Sequence, residues 1–274
     1  MADFSSLTAR GLVVLGCGKM GGALLKGWLA GGLSPAAVWV IDPQPSAWLA
    51  GLTREGLHLN APLPGAPAVC LIAVKPQMMD EALPQLAELG GGRTLMLSIA
   101  AGTPIRRLEA EFGTDTPVIR AMPNTPAAIG RGISALAGNA AAGEAEMRLA
   151  ETLMRAVGRT VRLESEAQMD AVTAVSGSGP AYVFHLIECL AAAGAEQGLP
   201  EALAMELARA MVAGAGALAD TAEETPEQLR INVTSPGGTT AAALAHLMDE
   251  ETGLCQLMRR AVAAATARGR ELAG

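Results

Sequence analysis

Residues 12–21, Leu-Val-Val-Leu-Gly-Cys-Gly-Lys-Met-Gly, decide the fold of this chain. An apolar run predicts a strand, a G-x-G-x-x-G follows, and an Ala- and Leu-rich helical pattern comes next, which is the order that a dinucleotide-binding turn requires. Gly16 permits the tight turn, Gly18 admits a pyrophosphate to the backbone, and Gly21 lets helix and strand pack closely. Because unpaired N–H groups at a helix N-terminus favour negative charge, the pattern predicts a nicotinamide or flavin dinucleotide site and redox chemistry. A tight turn that binds no nucleotide is the alternative.

The composition limits the classes of function. The chain has 274 residues, of which 50% are hydrophobic and 17% charged, and its net charge is −7. This length predicts roughly two domains. The acidic balance and the 3% aromatic content argue against nucleic-acid binding, which depends on basic patches and base stacking. The four cysteines and three histidines have neither disulfide nor metal-ligand spacing, so we expect no metal site and a cytoplasmic location. The chain has no signal-peptide pattern and no apolar run of about 18 residues, so we expect no membrane partner.

Alternating strand and helix patterns predict a Rossmann-like domain at residues 1–164, with a parallel sheet buried on both faces. From about Glu166 the strand patterns stop and prolines open helical stretches, which predicts an all-helical domain at residues 165–274. The predicted strands are Leu12–Leu15, Val38–Ile41, Val69–Val74, Thr94–Ile99, Val118–Met122 and Thr160–Leu163. The predicted helices are Gly21–Ala30, Met79–Leu89, Glu144–Val157, Ala167–Val175, Pro180–Gln197, Pro200–Thr221, Pro226–Ile231, Thr239–Asp249 and Leu254–Leu272.

The second domain is rich in small residues, for example at positions 191–194 and 213–216. Small residues let helix backbones approach closely, and apolar helices of this kind often need a partner surface. We therefore expect a homo-oligomer formed through this domain, with a self-contained helical bundle as the alternative.

Two charged residues follow predicted strands, at the edge where open α/β sheets bind ligands. Asp42 comes about 20 residues after the glycines, where a carboxylate accepts hydrogen bonds from ribose hydroxyls and repels a 2′-phosphate. This favours NAD over NADP, although Asp42 could equally open a turn with Pro43. Lys75 follows the third predicted strand and is placed to meet an anionic cofactor or the nicotinamide. A solvated lysine is the alternative.

Two Gly/Ser loops, at 176–180 and 235–240, each precede a predicted helix. Hydroxyls and bare backbone N–H groups at a helix N-terminus suit a substrate carboxylate, and simple helix capping is the alternative. No Ser/His/Asp or Cys/His arrangement is visible. A general acid would therefore be a hydroxyl, a carboxylate, Lys75 or water.

Six motifs follow one another along the chain: Gly-Cys-Gly-Lys-Met-Gly, Ala-Val-Lys-Pro, Ser-Ile-Ala-Ala-Gly, Arg-Ala-Met-Pro-Asn-Thr-Pro-Ala, Val-Ser-Gly-Ser-Gly-Pro-Ala-Tyr and Ser-Pro-Gly-Gly-Thr-Thr. Together they resemble the pyrroline-5-carboxylate reductase family, which catalyses the last step of proline biosynthesis. The resemblance implies a Rossmann domain, a helical dimerisation domain, and dimers that often assemble into larger rings such as decamers. It implies reduction of 1-pyrroline-5-carboxylate to L-proline by hydride transfer from NAD(P)H to the cyclic C=N bond.

The resemblance also implies site residues. Thr240 matches the family threonine that bonds the ring nitrogen, so Thr240 and, by its position, Lys75 are the candidate catalytic residues. The family commonly prefers NADPH and often has a small polar residue where this chain has Asp42, which leaves the choice between NADP and NAD open. The implied substrate contacts are Glu166, Gly238, Thr239 and Thr240. The implied cofactor contacts are Gly16, Cys17, Gly18, Lys19, Met20, Gly21, Asp42, Pro43, Asn60, Ala73, Lys75, Pro76, Ala101 and Asn232.

Two other functions stay open on the sequence. A hydroxyacid dehydrogenase of the same layout would need a catalytic lysine in the second half, and no lysine follows Lys75. A regulatory protein that binds a dinucleotide without turning it over would keep the same loops.

Overall fold

Short apolar strands form the sheet on which the rest of the first half of the chain is built. A computed structural model describes residues 4–273. Within that range the eight strands form one sheet in the order β3-β2-β1-β4-β5-β6-β7-β8. The strands are β1 Leu12–Leu15, β2 Val38–Ile41, β3 His58–Leu59, β4 Val69–Ile72, β5 Leu95–Ser98, β6 Val118–Met122, β7 Gly132–Gly138 and β8 Gly158–Arg162.

Strand pairing confirms the predicted α/β class. The pairs among β1 to β6 are parallel, β7 runs antiparallel to β6, and β8 is parallel to β7. Each strand predicted from the sequence is present: three have the predicted bounds and three have ends that differ by one or two residues. The sequence reasoning missed β3 and β7. It missed β7 because the strand Gly-Ile-Ser-Ala-Leu-Ala-Gly consists mostly of small residues, and Ile133 is its only β-branched or aromatic side chain.

Both faces of the sheet are buried. Leu12 and Val14 of β1 pack into one apolar cluster, and Val13 and Leu15 of the same strand pack into the other, because successive side chains of a strand point to opposite faces. The α-helices in this part of the chain, which cover the two faces or connect the strands, are α1 Ser5–Arg10, α2 Lys19–Ala30, α3 Ala47–Gly51, α4 Met79–Ala82, α5 Ile105–Phe112 and α6 Glu144–Arg155.

A tryptophan ties two of these helices together on the first face. Trp28 of α2 is fully buried, and its Nε1 donates a hydrogen bond to the Leu153 carbonyl of α6 at 2.8 Å. The helix predicted at Met79–Leu89 continues past α4 only as a 3₁₀ helix, Leu83–Leu89. Pro84 is the cause, because proline has no N–H for an α-helical hydrogen bond.

The described residues form two compact units. One runs to Gly177 and takes in the stretch from Ala265 onward, and the other is Ser178–Ala264. The helices after the sheet are α7 Met169–Val172, α8 Gly179–Glu196, α9 Glu201–Thr221, α10 Pro226–Asn232, α11 Thr239–Leu247 and α12 Leu254–Ala273.

The units divide later in the chain than the predicted 164/165 boundary, because the segment 166–177 packs on the first unit. Its backbone is a 3₁₀ turn at Glu166–Gln168, then α7, then a π-helix at Thr173–Gly177. A Cβ at Gly177 would lie 2.5 Å from Cε of Met122, so a larger residue there would require the end of the Met122 side chain on β6 to shift. As a division of function, the 164/165 boundary stays a prediction.

Candidate active site

The register of the sheet brings the predicted cofactor segments to one edge. Leu15 pairs with Ile41 on one side and with Ile72 on the other, so β1, β2 and β4 end level with one another. The strand order reverses at β1, because β2 lies on one side of it and β4 on the other. The crevice beyond the ends of these strands is therefore a topological switch point. Open α/β sheets bind their ligands at such a crevice.

Two glycines of the fingerprint are required by the packing of the turn itself. Gly16 has φ +85°, a conformation that L side chains rarely adopt, and its added Cβ would lie 2.8 Å from Cγ1 of Val74. A Cβ on Gly21 would lie 2.6 Å from the Gly16 carbonyl oxygen. The turn therefore needs both glycines whether or not a ligand binds.

The middle glycine is different. Gly18 has φ −68° at the N-cap of α2, a value that any residue adopts. A Cβ built there meets no atom within 4 Å. The fold therefore places no demand for glycine at this position, and the space in front of the α2 N-terminus is open to a ligand. A pyrophosphate is the group that such bare N–H groups favour.

An open cleft of about 680 Å³ lies in front of this turn. Its volume is within the range of small-molecule and cofactor sites. The cleft brings together eight of the predicted cofactor residues: Gly16, Cys17, Gly18, Lys19, Asp42, Pro43, Ala73 and Lys75. Its other lining residues, which sequence reasoning missed, are Gly22, Ala23, Lys26, Gln44, Ser46, Trp48, Val74, Met78 and Ala128.

The Asp42 carboxylate is fixed by the backbone around it. Its Oδ2 accepts a hydrogen bond from the Cys17 N–H at 2.9 Å, and its Oδ1 accepts one from the Gln44 N–H at 2.8 Å. The side chain of Asn60 binds the Asp42 backbone twice, donating from Nδ2 to the carbonyl and accepting at Oδ1 from the N–H, each at 2.9 Å. The carboxylate is therefore held against the glycine turn, at the wall of the cleft.

Asn60 reaches this position with a left-handed backbone, φ +49°, which asparagine tolerates better than most residues. It lines a smaller cavity of about 310 Å³ beside the main cleft, together with Ile41, Pro43 and Val74. The sequence contained no sign that Asn60 holds Asp42, because 17 residues of chain separate the two and only the pairing of β2 with β3 brings them together.

The thiol of Cys17 is buried at the glycine turn. Burial raises its pKa to about 11, the Asp42 carboxylate adds to that rise, and the Lys26 ammonium opposes it. The thiol is therefore protonated and neutral at physiological pH, and it places no negative charge beside a pyrophosphate.

The remaining predicted cofactor residues of the first unit lie around the cleft without lining it. Met20 packs partly against the core, and Gly21 packs against the turn. Pro76 lines a separate cavity of about 440 Å³ with Arg106 and Arg107. Ala101 lies in the turn after β5. Their assignment as cofactor contacts stays a prediction.

Glu166, a predicted substrate contact, is bound within the first unit. Its Oε1 accepts hydrogen bonds from Nη1 of Arg120 and, at 2.8 Å, from the Ile105 N–H at the start of α5. Arg120 is buried in β6, with its side chain 7% exposed, while that of Glu166 is 31% exposed. The ion pair thus ties the segment after the sheet to the central strands.

The other predicted substrate residues belong to the second unit. Gly238 is the N-cap of α11, and Thr239 and Thr240 open that helix with their N–H groups directed out of its end. The loop before it turns tightly, since the Gly238 N–H donates to the Ser235 carbonyl at 3.0 Å. Asn232, the remaining predicted cofactor contact, is exposed at the end of α10, and its Oδ1 accepts from Nε2 of Gln228 at 2.8 Å.

Comparison with known proteins agrees with this architecture. Residues 166–272 match the family described as pyrroline-5-carboxylate reductase dimerisation, and residues 11–102 match NADP oxidoreductase, coenzyme F420-dependent. A pyrroline-5-carboxylate reductase from Pseudomonas aeruginosa is 39% identical over 96% of this chain and 96% of its own. The structure of one from Coxiella burnetii superposes with a TM-score of 0.88 at 31% identity, over 97% of this chain and 99% of the other. A Plasmodium falciparum pyrroline carboxylate reductase with NADP bound has a TM-score of 0.82 at 26% identity, over 97% and 99% of the chains.

The sheet, the open glycine turn and these matches define an oxidoreductase that uses NAD(P). The extent of the similarity along the chain then decides the family. This chain belongs to the pyrroline-5-carboxylate reductase family. The resemblance predicted from its motifs is confirmed, as is a Rossmann-like domain followed by a helical dimerisation domain.

Proposed function

We propose that this chain reduces 1-pyrroline-5-carboxylate to L-proline with NADH or NADPH, the last step of proline biosynthesis. The observation that carries the proposal is the match to reductases of this name over 96% of the chain, together with an α2 N-terminus that is open at Gly18. When bound, the nicotinamide supplies the hydride that the cyclic C=N bond accepts.

The first unit has the donors and the space to hold the dinucleotide. The N–H groups at the start of α2 fit the pyrophosphate, and Lys19 adds a positive charge at the same helix end. The fixed Asp42 carboxylate fits the ribose hydroxyls, since each of its oxygens has a second lone pair beyond the backbone bond that it accepts. Lys75 is exposed at the end of β4 and lines the same cleft, where it would offset the charge of the cofactor.

The α11 N-terminus has the chemistry to hold the substrate. Its N–H groups and the hydroxyls of Thr239 and Thr240 suit the carboxylate and ring nitrogen of a small cyclic imino acid. An iminium accepts hydride much better than a neutral imine, so the ring nitrogen must carry a proton before or during transfer. We assign to the Thr240 hydroxyl the task of holding the protonated nitrogen, and positioning at near-attack distance would supply most of the rate.

We assign Glu166 to the substrate side through Oε2, which accepts no hydrogen bond from the residues at positions 4–273, whereas Oε1 accepts from Arg120 and the Ile105 N–H. An anionic Glu166 would stabilise the positive charge of the iminium.

The chain forms a homo-oligomer, since residues 166–272 match a dimerisation family. We propose that a dimer forms through α8 and α9, which expose large apolar side chains such as Phe184 at 59% and Leu207 and Met211 at 51% each. Larger rings such as decamers would be built from this dimer. By length and composition α9 is also apolar enough to cross a membrane, and it is mostly exposed. We assign its apolar surface to the second copy, and we propose a cytoplasmic location for the enzyme.

A turnover assay tests the proposed reaction. Loss of the absorbance of NADH or NADPH is followed on adding 1-pyrroline-5-carboxylate, with a 2-oxo acid as the comparison substrate. We expect turnover with the cyclic imine alone. Turnover only with the oxo acid would indicate a hydroxyacid dehydrogenase. Tight dinucleotide binding without turnover of either substrate would instead indicate a regulatory protein and would refute the proposal.

A further inference from the structure

The cleft contains a positive charge whose role the pyrophosphate does not explain. Lys26 lines the cleft two turns along α2 from its start, a distance of about 10 Å along the helix axis. The N–H groups that fit the pyrophosphate are at the start of that helix. Lys26 instead lies with Gln44, Ser46 and Trp48, which follow the ribose-binding position at Asp42.

The Lys26 side chain is held at this wall of the cleft. Its Nζ lies 4.8 Å from the centroid of the Trp48 ring, which is within cation–π range. Among the side chains in residues 4–273, no carboxylate lies within ion-pair distance of this ammonium. The Ser46 hydroxyl oxygen accepts from the Leu49 N–H at 3.2 Å, so its own proton remains available to a ligand.

Lys26 and Asp42 carry opposite charges near the same part of the cleft. Both charges affect the buried Cys17 thiol, since Asp42 raises its pKa and Lys26 lowers it. A dinucleotide whose ribose binds Asp42 would carry any 2′-phosphate into the cleft that both of these charged side chains line. The carboxylate repels that phosphate, while the ammonium and the Ser46 hydroxyl attract it.

We propose that Lys26 and Ser46 form a site for the 2′-phosphate of NADPH, so that the cleft accepts both dinucleotides although Asp42 favours NADH. This inference rests on the proposed dinucleotide-dependent function. Lys26 acts only on the phosphorylated cofactor, whereas Asp42 acts on both. Cofactor preference is then set by the opposition of two side chains on different elements.

Binding measurements on the intact protein test this assignment. Calorimetric Kd values for NADPH, NADH, 2′,5′-ADP and 5′-AMP are compared between the wild type and Lys26→Met, which keeps an unbranched chain over Trp48 but removes the charge. We expect NADPH and 2′,5′-ADP to bind about tenfold more weakly and NADH and 5′-AMP to change by less than about twofold. Arg54→Met is the matched control, because it removes a positive charge from an exposed turn outside the cleft and should alter none of the four.

The outcomes separate this inference from the proposed function. A loss of affinity for NADPH and 2′,5′-ADP alone in Lys26→Met supports the inference, and an affinity near that of the wild type in Lys26→Arg supports it further. An equal loss of affinity for all four ligands would show that Lys26 acts on the electrostatic potential of the whole cleft, and would overturn the inference. An unchanged affinity for NADPH in a Lys26→Met variant with the melting temperature of the wild type would also overturn it. A wild-type protein that binds neither NADH nor NADPH would refute the dinucleotide function itself.

Discussion

Gly18→Val tests whether glycine is required at this position for folding or for dinucleotide binding. Gly18 has φ −68°, and its added Cβ meets nothing within 4 Å, so valine fits the folded chain. An apolar residue at a helix N-cap is less favourable than glycine by about 0.5–1 kcal/mol. For a chain of this length we expect the melting temperature to fall by about 2–4 °C at most.

The same side chain would occupy the place of the pyrophosphate. Losing two charge-assisted hydrogen bonds from the α2 N–H groups, at about 1.5 kcal/mol or more each, weakens binding by at least about 3 kcal/mol. This corresponds to a Kd for NADH that is more than about a hundredfold higher. Calorimetric titration with NADH and a thermal melt on the same sample measure the two effects.

Gly21→Ala is the matched control. Its Cβ would lie 2.6 Å from the Gly16 carbonyl oxygen, so this smaller change should destabilise the fold by far more than Gly18→Val. An unchanged Kd for NADH in Gly18→Val would refute the assignment of the turn to the pyrophosphate. A large loss of stability in Gly18→Val would show that the fold, rather than the ligand, demands the glycine.

Three further predictions concern other parts of the molecule. Asp42→Ser should raise the affinity for NADPH relative to NADH by about tenfold in paired titrations, because it removes a negative charge beside the ribose, and an unaltered ratio would show that Asp42 does not sense the 2′ position. Thr240→Val should lower kcat by about tenfold to a hundredfold while the Kd for NADH stays near that of the wild type, and wild-type steady-state rates would remove Thr240 from the mechanism. Hydrogen bonds from Arg162 hold the pKa values of Glu144 and Glu151 below their usual range, so the stabilisation is present above the unfolded pKa near 4.5 and is lost as pH falls through the folded values. Arg162→Met should therefore lower the melting temperature by more at pH 7 than at about pH 3, and an equal loss at both pH values would contradict the assignment.

The sequence was sufficient for the features that depend on local pattern. Strands β1, β2, β4, β5 and β6, the turn at Gly16–Gly21 and the helices after residue 178 follow from hydrophobic periodicity, glycines and helix-opening prolines. These signals lie within a few residues of the structure that they specify. The same locality explains why Asp42 could be placed at the cleft, since it directly follows a predicted strand.

The sequence was insufficient where a residue acts through a distant partner. Nothing local shows that Arg120 pairs with Glu166 or that Trp48 lies under Lys26. The end of the first unit is a similar case. The helix predicted at Ala167–Val175 becomes a π-helix at its end, where Gly177 lies against the Met122 side chain. Met122 belongs to β6, far earlier in the chain.

The backbone bonds of Asp42 have a consequence for how cofactor choice can change. The carboxylate that would discriminate between cofactors also joins the first two loops of the nucleotide fold, through the Cys17 and Gln44 amides. Replacing it leaves both amides without this acceptor, so a single substitution that shifts preference toward NADPH should also lower the affinity for both dinucleotides. A lineage that exchanges one cofactor for the other must therefore restore this connection with a second mutation, and selection would retain such changes in pairs.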